Sequence, residues 1–306
     1  MKKSAYEIIG KTNKYLDARQ RARLKDLGVL ERLIVTRMVS ELARELEETD
    51  DGRIRSRKGS VSIGRSIDRV FDLVEEQGLP KLMAKAVTDI RGTLDFNARY
   101  YQKLTTPKKD SYAEIRAAVD AVMRRRLGLD NDYAINPKGY LGELGRTQKA
   151  REEVKKMVAK AVAAGIPMGK LKKALRVKVS GTKDTPGVLG RTLGGFVLDT
   201  YQVADAVTNR EFAKRLDLKY FIYSGGLIET SREFCRKRNG KVFTTEEAEK
   251  WDEDSTLPRT KEERDSGVVA DYNPLEDRGR WNCRHRILYI PEEEAFRRRP
   301  DLRPKS

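Results

Sequence analysis

The stretch RGRWNCRHRILYI, residues 278–290, contains the side chains with the clearest chemical potential. Cys283 and His285 stand two residues apart, and His285 is the only histidine of the chain. The other of the two cysteines, Cys235, lies upstream in TSREFCRKR. Thiolate and imidazole are the ligands that zinc prefers in proteins. These three residues are therefore a candidate zinc-binding set.

The three residues leave one position of a tetrahedral zinc ion unfilled. Glu229, Asp277 or a water molecule is the candidate for it. A second interpretation makes both cysteines small buried core residues, with His285 hydrogen-bonded to a neighbouring loop. A third joins Cys235 and Cys283 in a disulfide. The sequence leaves these alternatives open, and it predicts no cofactor other than zinc.

An enzymatic interpretation makes the chain a metal-dependent nuclease. His285 would act as general base beside Asp271, Glu276 and Asp277, with magnesium on the carboxylates. The competing interpretation is that these acids cap loops or pair with neighbouring arginines. The acids do not form the tight cluster that such a nuclease needs, so no catalytic residue is predicted.

Charge sets the class of partner. The chain has 306 residues and a formal net charge of +17, which favours polyanions such as nucleic acid. Two cysteines do not make a disulfide framework, and no stretch approaches the roughly 20 apolar residues that span a bilayer. The start of the chain lacks the apolar segment of a secretory signal. We therefore expect a reducing, cytosol-like compartment and no membrane contact.

The elements that must position the candidate site follow from hydrophobic spacing. Apolar residues recur every three to four positions over 27–46, 63–74 and 83–94, which predicts three amphipathic helices. GLP (78–80) is expected to stop the second of them. A long helix is predicted over about 188–216.

Sequence patterns also predict where several shorter helices begin. Ser111 with Glu114, Thr230 with Glu233, and Thr244 with Glu247 match the capping box, in which each side chain satisfies an amide of the first turn. Residues 252–267 look like an exposed loop.

The amino-acid composition of the chain changes at residue 219. KYFIYSGG and RILYI have the β-branched and aromatic composition of strands and are expected to pair, with KVF as a third short strand. The predicted fold is mainly α, with an elongated helical N-terminal region and a small C-terminal α+β domain. The expected segments are 1–128 and 129–218, both helical, then the α+β domain 219–292 and a basic tail 293–306.

Four short motifs of this C-terminal part form an ordered set: YSGG (223–226), ETSREFC (229–235), GKVF (240–243) and NCRH (282–285). Over about residues 187–292 the chain resembles the tailed-phage minor head proteins, the head-morphogenesis or Mu F-like family. The resemblance marks as structural motif residues Tyr223, Gly225, Glu229, Thr230, Arg232, Gly240, Asn282 and Arg284.

Two departures from the family pattern concern the site. Many members carry a C-x-x-C pair where this chain has Cys235 alone, and Glu229 stands where aspartate is common. The place of Arg232 in the motif favours a buried ion pair with Glu229 or an aspartate over a solvated arginine.

The resemblance implies a low-copy virion protein and no catalysis. The expected partners are the portal or the major capsid protein, packaged double-stranded DNA contacted without sequence preference, and further copies of the chain. The expected location is the capsid interior or portal vertex, and the host cytoplasm during assembly. The alternatives are the nuclease and a cytosolic nucleic-acid-binding protein unrelated to virions.

Overall fold

The computed structural model describes residues 3–105, 109–267, 269, 272–280 and 283–304. The helices α1 to α13, in chain order, span Lys3–Glu45, Ser60–Leu73, Leu79–Leu104, Lys109–Leu127, Tyr140–Leu144, Gln148–Ala163, Met168–Ser180, Val188–Arg215, Glu233–Arg238, Thr245–Glu249, Lys261–Ser266, Pro274–Asp277 and Glu292–Arg298. The strands β1 to β5 span Leu46–Glu48, Ile54–Ser56, Tyr220–Ser224, Val242–Thr244 and Arg286–Ile290. The predicted mainly α class with a small C-terminal sheet is confirmed.

The chain divides into two compact units, and both are discontinuous in sequence. The sheet unit comprises Met1–Asp17, Asp89–Asn136 and Leu198–Ser306, and the helical unit comprises Ala18–Thr88 and Pro137–Val197. The predicted segments 1–128 and 129–218 each contribute to both units. Hydrophobic spacing indicates which face of a helix is buried, but it does not indicate which distant helix covers that face, so it does not reveal units that are discontinuous in sequence.

The helical unit is built on the apolar stripe of α1. Ile34 and Met38 are fully buried, and they belong to one core with Val154 of α6 and Leu171 of α7. The short antiparallel hairpin β1–β2 follows α1 directly. Apolar residues at helical spacing therefore supply most of this core, as the sequence predicts.

The predicted helix stop at GLP is wrong. The chain passes from α2 through a π-helical turn, Val74–Gly78, into α3. The amide of Leu79 bonds to the carbonyl of Val74, five residues back. Pro80 then occupies the second position of α3, where a proline is tolerated because the first amides of a helix lack a partner in that helix. The turn thus changes the hydrogen-bond pattern where proline would otherwise end the helix.

The sheet unit contains the three-stranded antiparallel sheet β4–β3–β5. Tyr223 of β3 stands opposite Ile287 of β5, and Tyr220 opposite Thr244 of β4. The long helix α8 agrees with the predicted 188–216. The predicted strands and their pairing are confirmed, although β3 and β5 are far apart in sequence.

Two of the three predicted capping boxes are wrong. Helix α9 begins at Glu233 with Arg232 at the N-cap, so Thr230 lies outside it. Ser111 lies inside α4, which is already helical at Lys109. A matching pattern therefore placed these helix starts incorrectly by a few residues, whereas the box of Thr244 and Glu247 at α10 is confirmed.

Two segments are more structured than the sequence analysis predicted. Within the expected loop 252–267, Thr260 and Glu263 form a capping box that starts α11. The expected basic tail 293–306 begins instead with α13, whose Glu294 is buried and pairs with Arg297 and Arg298. Both helices begin with acidic first turns, which favour a helix N-terminus.

A buried ion pair ties β5 to the helices of the sheet unit. Arg286 Nε donates to Asp205 Oδ2 of α8 at 2.7 Å, and its Nη2 donates to Asn97 Oδ1 of α3 at 3.0 Å. Asn97 Nδ2 in turn donates to Asp205 Oδ1 at 3.0 Å. Since Arg286 follows His285 directly, this network fixes the segment that carries the candidate site.

We predict that Asp205→Asn destabilises the protein by about 3–5 kcal/mol, because it leaves the Arg286 charge buried without a counter-charge. Urea unfolding followed by circular dichroism measures the loss. The control is Asp95→Asn, which removes the same charge from an exposed pair with Arg116 and should cost about 1 kcal/mol or less. Equal losses in the two variants would contradict the role assigned to the buried pair.

Candidate metal centre

The structure brings Cys235, Cys283 and His285 together in the sheet unit. Their ligand atoms all lie within 4.8 Å of one another, and all three side chains are buried. The two Sγ atoms are 3.9 Å apart, and Cys283 Sγ is 3.9 Å from His285 Nδ1. The candidate set read from the sequence is thus one cluster in space.

The register of the sheet explains why these segments meet. Ser224 is paired with Arg286, so the residue after β3 and the residue before β5 face each other. A Cβ on Gly225 would lie 2.8 Å from the Cα and ring of His285, so this position requires glycine. The His285 ring stacks on Tyr223, with ring centroids 4.9 Å apart.

A turn over residues 278–280 closes the other side of the cluster. Arg278 and Arg280 have φ angles of 52° and 62°, a conformation that non-glycine residues adopt at a cost. Between them, a Cβ on Gly279 would lie 2.7 Å from Cys235 Sγ and 3.1 Å from Cys283 Sγ. The backbone therefore approaches the sulfurs as closely as glycine permits.

The turn is held from outside by the segment predicted as a loop. Arg280 Nη2 donates to Glu263 Oε1 at 2.8 Å, and its Nη1 donates to the carbonyl of Pro258 at 3.0 Å. The hydrogen bonds from Arg280 lower the pKa of Glu263 to about 2. Helix α11 thus positions the glycine that faces the thiols.

The two thiols differ in acidity because they share one hydrogen bond. The Cys235 thiol donating to Cys283 holds the pKa of Cys283 well below its usual value, against the opposing effect of burial. The same hydrogen bond, with burial, raises the pKa of Cys235. His285, the Arg278 charge and Tyr223 favour the Cys283 thiolate further. The two opposite shifts make Cys283 the more acidic of the two thiols, and a thiolate is the form in which cysteine binds a metal cation.

The spacing of the two sulfurs fits a zinc ion. Zinc–sulfur bonds of about 2.3 Å in a tetrahedron put two sulfurs about 3.8 Å apart, and the sulfurs here are 3.9 Å apart. Cys283 Sγ and His285 Nδ1 are 3.9 Å apart, and the sulfur and nitrogen corners of a zinc tetrahedron are about 3.6 Å apart, so zinc would draw the ring slightly closer. Zinc would be held by these three residues and would supply there a closed structural link between α9 and the segment before β5.

The hydroxyl of Tyr223 lies beside both sulfurs and is a candidate for the fourth ligand. It is 3.4 Å from each sulfur, against about 3.5 Å expected between sulfur and oxygen corners of a zinc tetrahedron. Burial and the neighbouring thiols raise its pKa. Among the described residues, neither Glu229 nor Asp277, the carboxylates expected as fourth ligands, belongs to the cluster.

The two competing interpretations of the cysteines fare differently. Both cysteines are free thiols, and 3.9 Å between sulfurs is far beyond a disulfide bond of about 2.05 Å. Both are buried, as core residues would be. His285, however, faces Cys283 instead of a neighbouring loop, and its Nε2 is buried with no hydrogen-bond partner in the described part of the chain.

The other motif residues differ in their surroundings. Gly240 has a φ of 78°, and its amide donates to the carbonyl of Tyr223 at 2.7 Å. Arg232 donates to the carbonyl of Gly279 at 2.7 Å, so it contacts the turn that faces the thiols. Side chains exposed to solvent are those of Glu229, Thr230 and Arg284. Asn282 and Asp271 lie outside the described residues.

Sequence reasoning missed three contributors to the site: the Tyr223 hydroxyl, the close approach of Gly279, and the support of Arg280 by Glu263. Only the last had a readable signal, since TKEE over 260–263 matches a capping box. The approach of Gly279 depends on a turn conformation that the letters RGR do not specify, and the position of the Tyr223 hydroxyl depends on the pairing of β3 with the distant strand β5.

No family model, no curated protein and no solved structure matches the chain. The resemblance of residues 187–292 to minor head proteins therefore stays a prediction. Of the helices that the structure describes, none combines the length and the apolar character needed to cross a membrane.

We predict that the reduced protein binds about one zinc ion per chain, and that Cys283→Ala and His285→Ala lose it because each removes one of three donors. Plasma mass spectrometry after dialysis measures the metal. Phe234→Leu is the control, since it alters a buried neighbour of Cys235 and keeps every donor. A folded wild type without zinc, or full zinc content in Cys283→Ala, would contradict the assignment.

Proposed function

We propose that the chain is a minor head protein of a tailed phage. It acts in head assembly near the portal or the inner capsid wall, and it contacts packaged double-stranded DNA without reading its sequence. Further copies of the chain are additional partners. The proposal places it in the capsid interior or portal vertex, and in the host cytoplasm during assembly.

One observation carries the proposal: the four motif segments, which are scattered over about sixty residues, converge on one sheet. Tyr223 lies in β3, Cys235 in α9, Gly240 just before β4, and Cys283 with His285 just before β5. Members of an ordered motif set that meet around one centre behave as parts of one domain. This supports treating the set as a domain signature instead of four chance matches.

The geometry favours a structural role for that centre. Cys283 and His285 are 5% and 3% exposed, so neither ring nor thiol can reach a macromolecular substrate. Buried donors that link two distant segments stabilise a small domain, which has little apolar core of its own. A virion component that must stay folded during assembly would use such a link.

The nuclease alternative gains no support from the acids near the turn. Glu276 binds Arg210, and Asp277 Oδ2 accepts a hydrogen bond from the Asn273 amide at 2.7 Å. Both carboxylates are therefore engaged in holding loops and helix ends. A cytosolic nucleic-acid-binding protein would have the same basic surface. The location of the chain, in particles or in the cytosol, therefore distinguishes this alternative from the proposed function.

Quantitative mass spectrometry of particles purified from the phage or lysogen that encodes the chain tests the proposal. We expect a few to some tens of copies per particle, because low copy number is what the resemblance implies. The portal protein in the same sample provides the internal standard, and a non-virion phage enzyme serves as the purification control.

Absence of the chain from particles, with abundant peptide in the infected-cell lysate, would overturn the virion assignment. The basic surface would then belong to a cytosolic nucleic-acid-binding protein. Enrichment of the chain no greater than that of the non-virion enzyme would have the same meaning.

A further inference from the structure

The segment from Val154 within α6 to Lys183 just after α7, in the helical unit, carries charge of one sign. Residues 154–183 contain nine lysines and arginines and no aspartate or glutamate. In a chain where 36% of residues are charged and both signs are common, this is a local exception. Such a run on a folded surface attracts a polyanion.

Most of these cations have no ion-pair partner in the part of the chain that the structure describes. Lys155 pairs with Asp68 at 2.7 Å, and Lys178 pairs with Glu153 at 2.7 Å. Among the described residues, the remaining cations make no ion pair, and all are exposed. These residues define the α6–α7 basic surface: Lys156, Lys160, Lys170, Lys172, Lys173, Arg176 and Lys183.

The amphipathic pattern of α7 turns its cations outward. Leu171, Leu175 and Val179 are buried in the core of the helical unit. Lys172 and Arg176, one helical turn apart, are exposed beside this stripe, and Lys173 is exposed on the side opposite to it. Burial of the apolar stripe therefore fixes a row of cations in solvent.

Other basic runs of the sequence are partly neutralised by local ion pairs. Arg124 pairs with Asp120 at 3.0 Å, and Lys237 pairs with Glu233 at 2.9 Å. Arg298 pairs with Glu294 at 2.7 Å. These runs contribute to net charge but leave less free charge for a partner than the α6–α7 basic surface does.

We propose that the α6–α7 basic surface binds the phosphate backbone of double-stranded DNA. Its cations replace the counterions condensed on the duplex, which requires neither base contacts nor a groove-reading helix. The identification of the DNA as the packaged genome rests on the proposed function. The binding of duplex DNA to this surface is inferred from charge complementarity alone.

The composition of the surface selects duplex over other anionic partners. Residues 154–183 contain no aromatic side chain, so they offer no platform on which unpaired bases could stack. The one large apolar side chain exposed on α7 is Val177, too little for insertion into a lipid surface. Backbone phosphates on a regular duplex remain the matching partner.

The test is fluorescence anisotropy of a random-sequence duplex titrated with the full chain at several salt concentrations. Lys172→Gln, Lys173→Gln and Arg176→Gln are combined in one variant. The slope of log K against log salt should become shallower by about 2.7, since each lost phosphate contact contributes about 0.9. Near 0.1 M salt this corresponds to a roughly 10²–10³-fold weaker affinity.

The matched control combines Lys58→Gln, Arg65→Gln and Lys81→Gln, three exposed cations elsewhere in the same unit. It should keep the wild-type slope to within about one contact. Equal loss in both triple variants would overturn the proposal in favour of net charge alone. Wild-type affinity in the α7 variant would also overturn it, as would tighter binding to single-stranded DNA or to anionic vesicles.

This outcome is separable from that of the proposed function. Particles that contain the chain, with no α7-dependent DNA binding, would leave the virion assignment standing and remove this surface. If the chain is absent from particles but its DNA binding depends on α7, the DNA-binding surface stands and the virion assignment is removed.

Discussion

The antiparallel pairing of β3 with β5 is the constraint on which the candidate site depends. It places Gly225 against His285 and stacks Tyr223 on the imidazole ring, so that residues about sixty positions apart share one centre. The register cannot slip by one residue without turning every side chain of β5 to the other face. Arg286, the first residue of β5, donates to Asp205 of α8, and this contact limits the remaining freedom of that segment.

The arrangement buries charged and titratable groups. Arg286 and Asp205 form an ion pair in the interior, where an uncompensated ion costs several kcal/mol, and two amide side chains accept hydrogen bonds from Arg286. The Cys283 thiol also lies in the interior, and its hydrogen bond with Cys235, the His285 ring, the Arg278 charge and the Tyr223 hydroxyl lower its pKa. A divalent cation would complement these donors, which is why the same residues form a candidate metal centre.

The sequence predicted what depends on local pattern and missed what depends on distant contacts. Strand composition identified β3 and β5. The candidate cluster was identified from the close pair Cys283 and His285 together with the one other cysteine, Cys235. The π turn before Pro80 escaped prediction because it is selected by packing on both sides of the proline. Two capping boxes failed because Thr230 and Ser111 match a pattern that many non-cap residues also match. Gly279 was missed because only the folded turn reveals what a Cβ there would strike.

X-ray absorption at the zinc edge of the reconstituted protein tests the central claim most directly, because it counts the atoms that bind the metal. If Cys235, Cys283 and His285 bind the zinc ion, the spectrum shows two sulfur atoms at about 2.3 Å and nitrogen or oxygen atoms at about 2.0 Å. One of these lighter atoms shows the outer-shell signal of an imidazole ring. A first shell of oxygen and nitrogen alone, without sulfur, would contradict it, since zinc would then sit elsewhere and the two thiols would be no more than neighbours in the core.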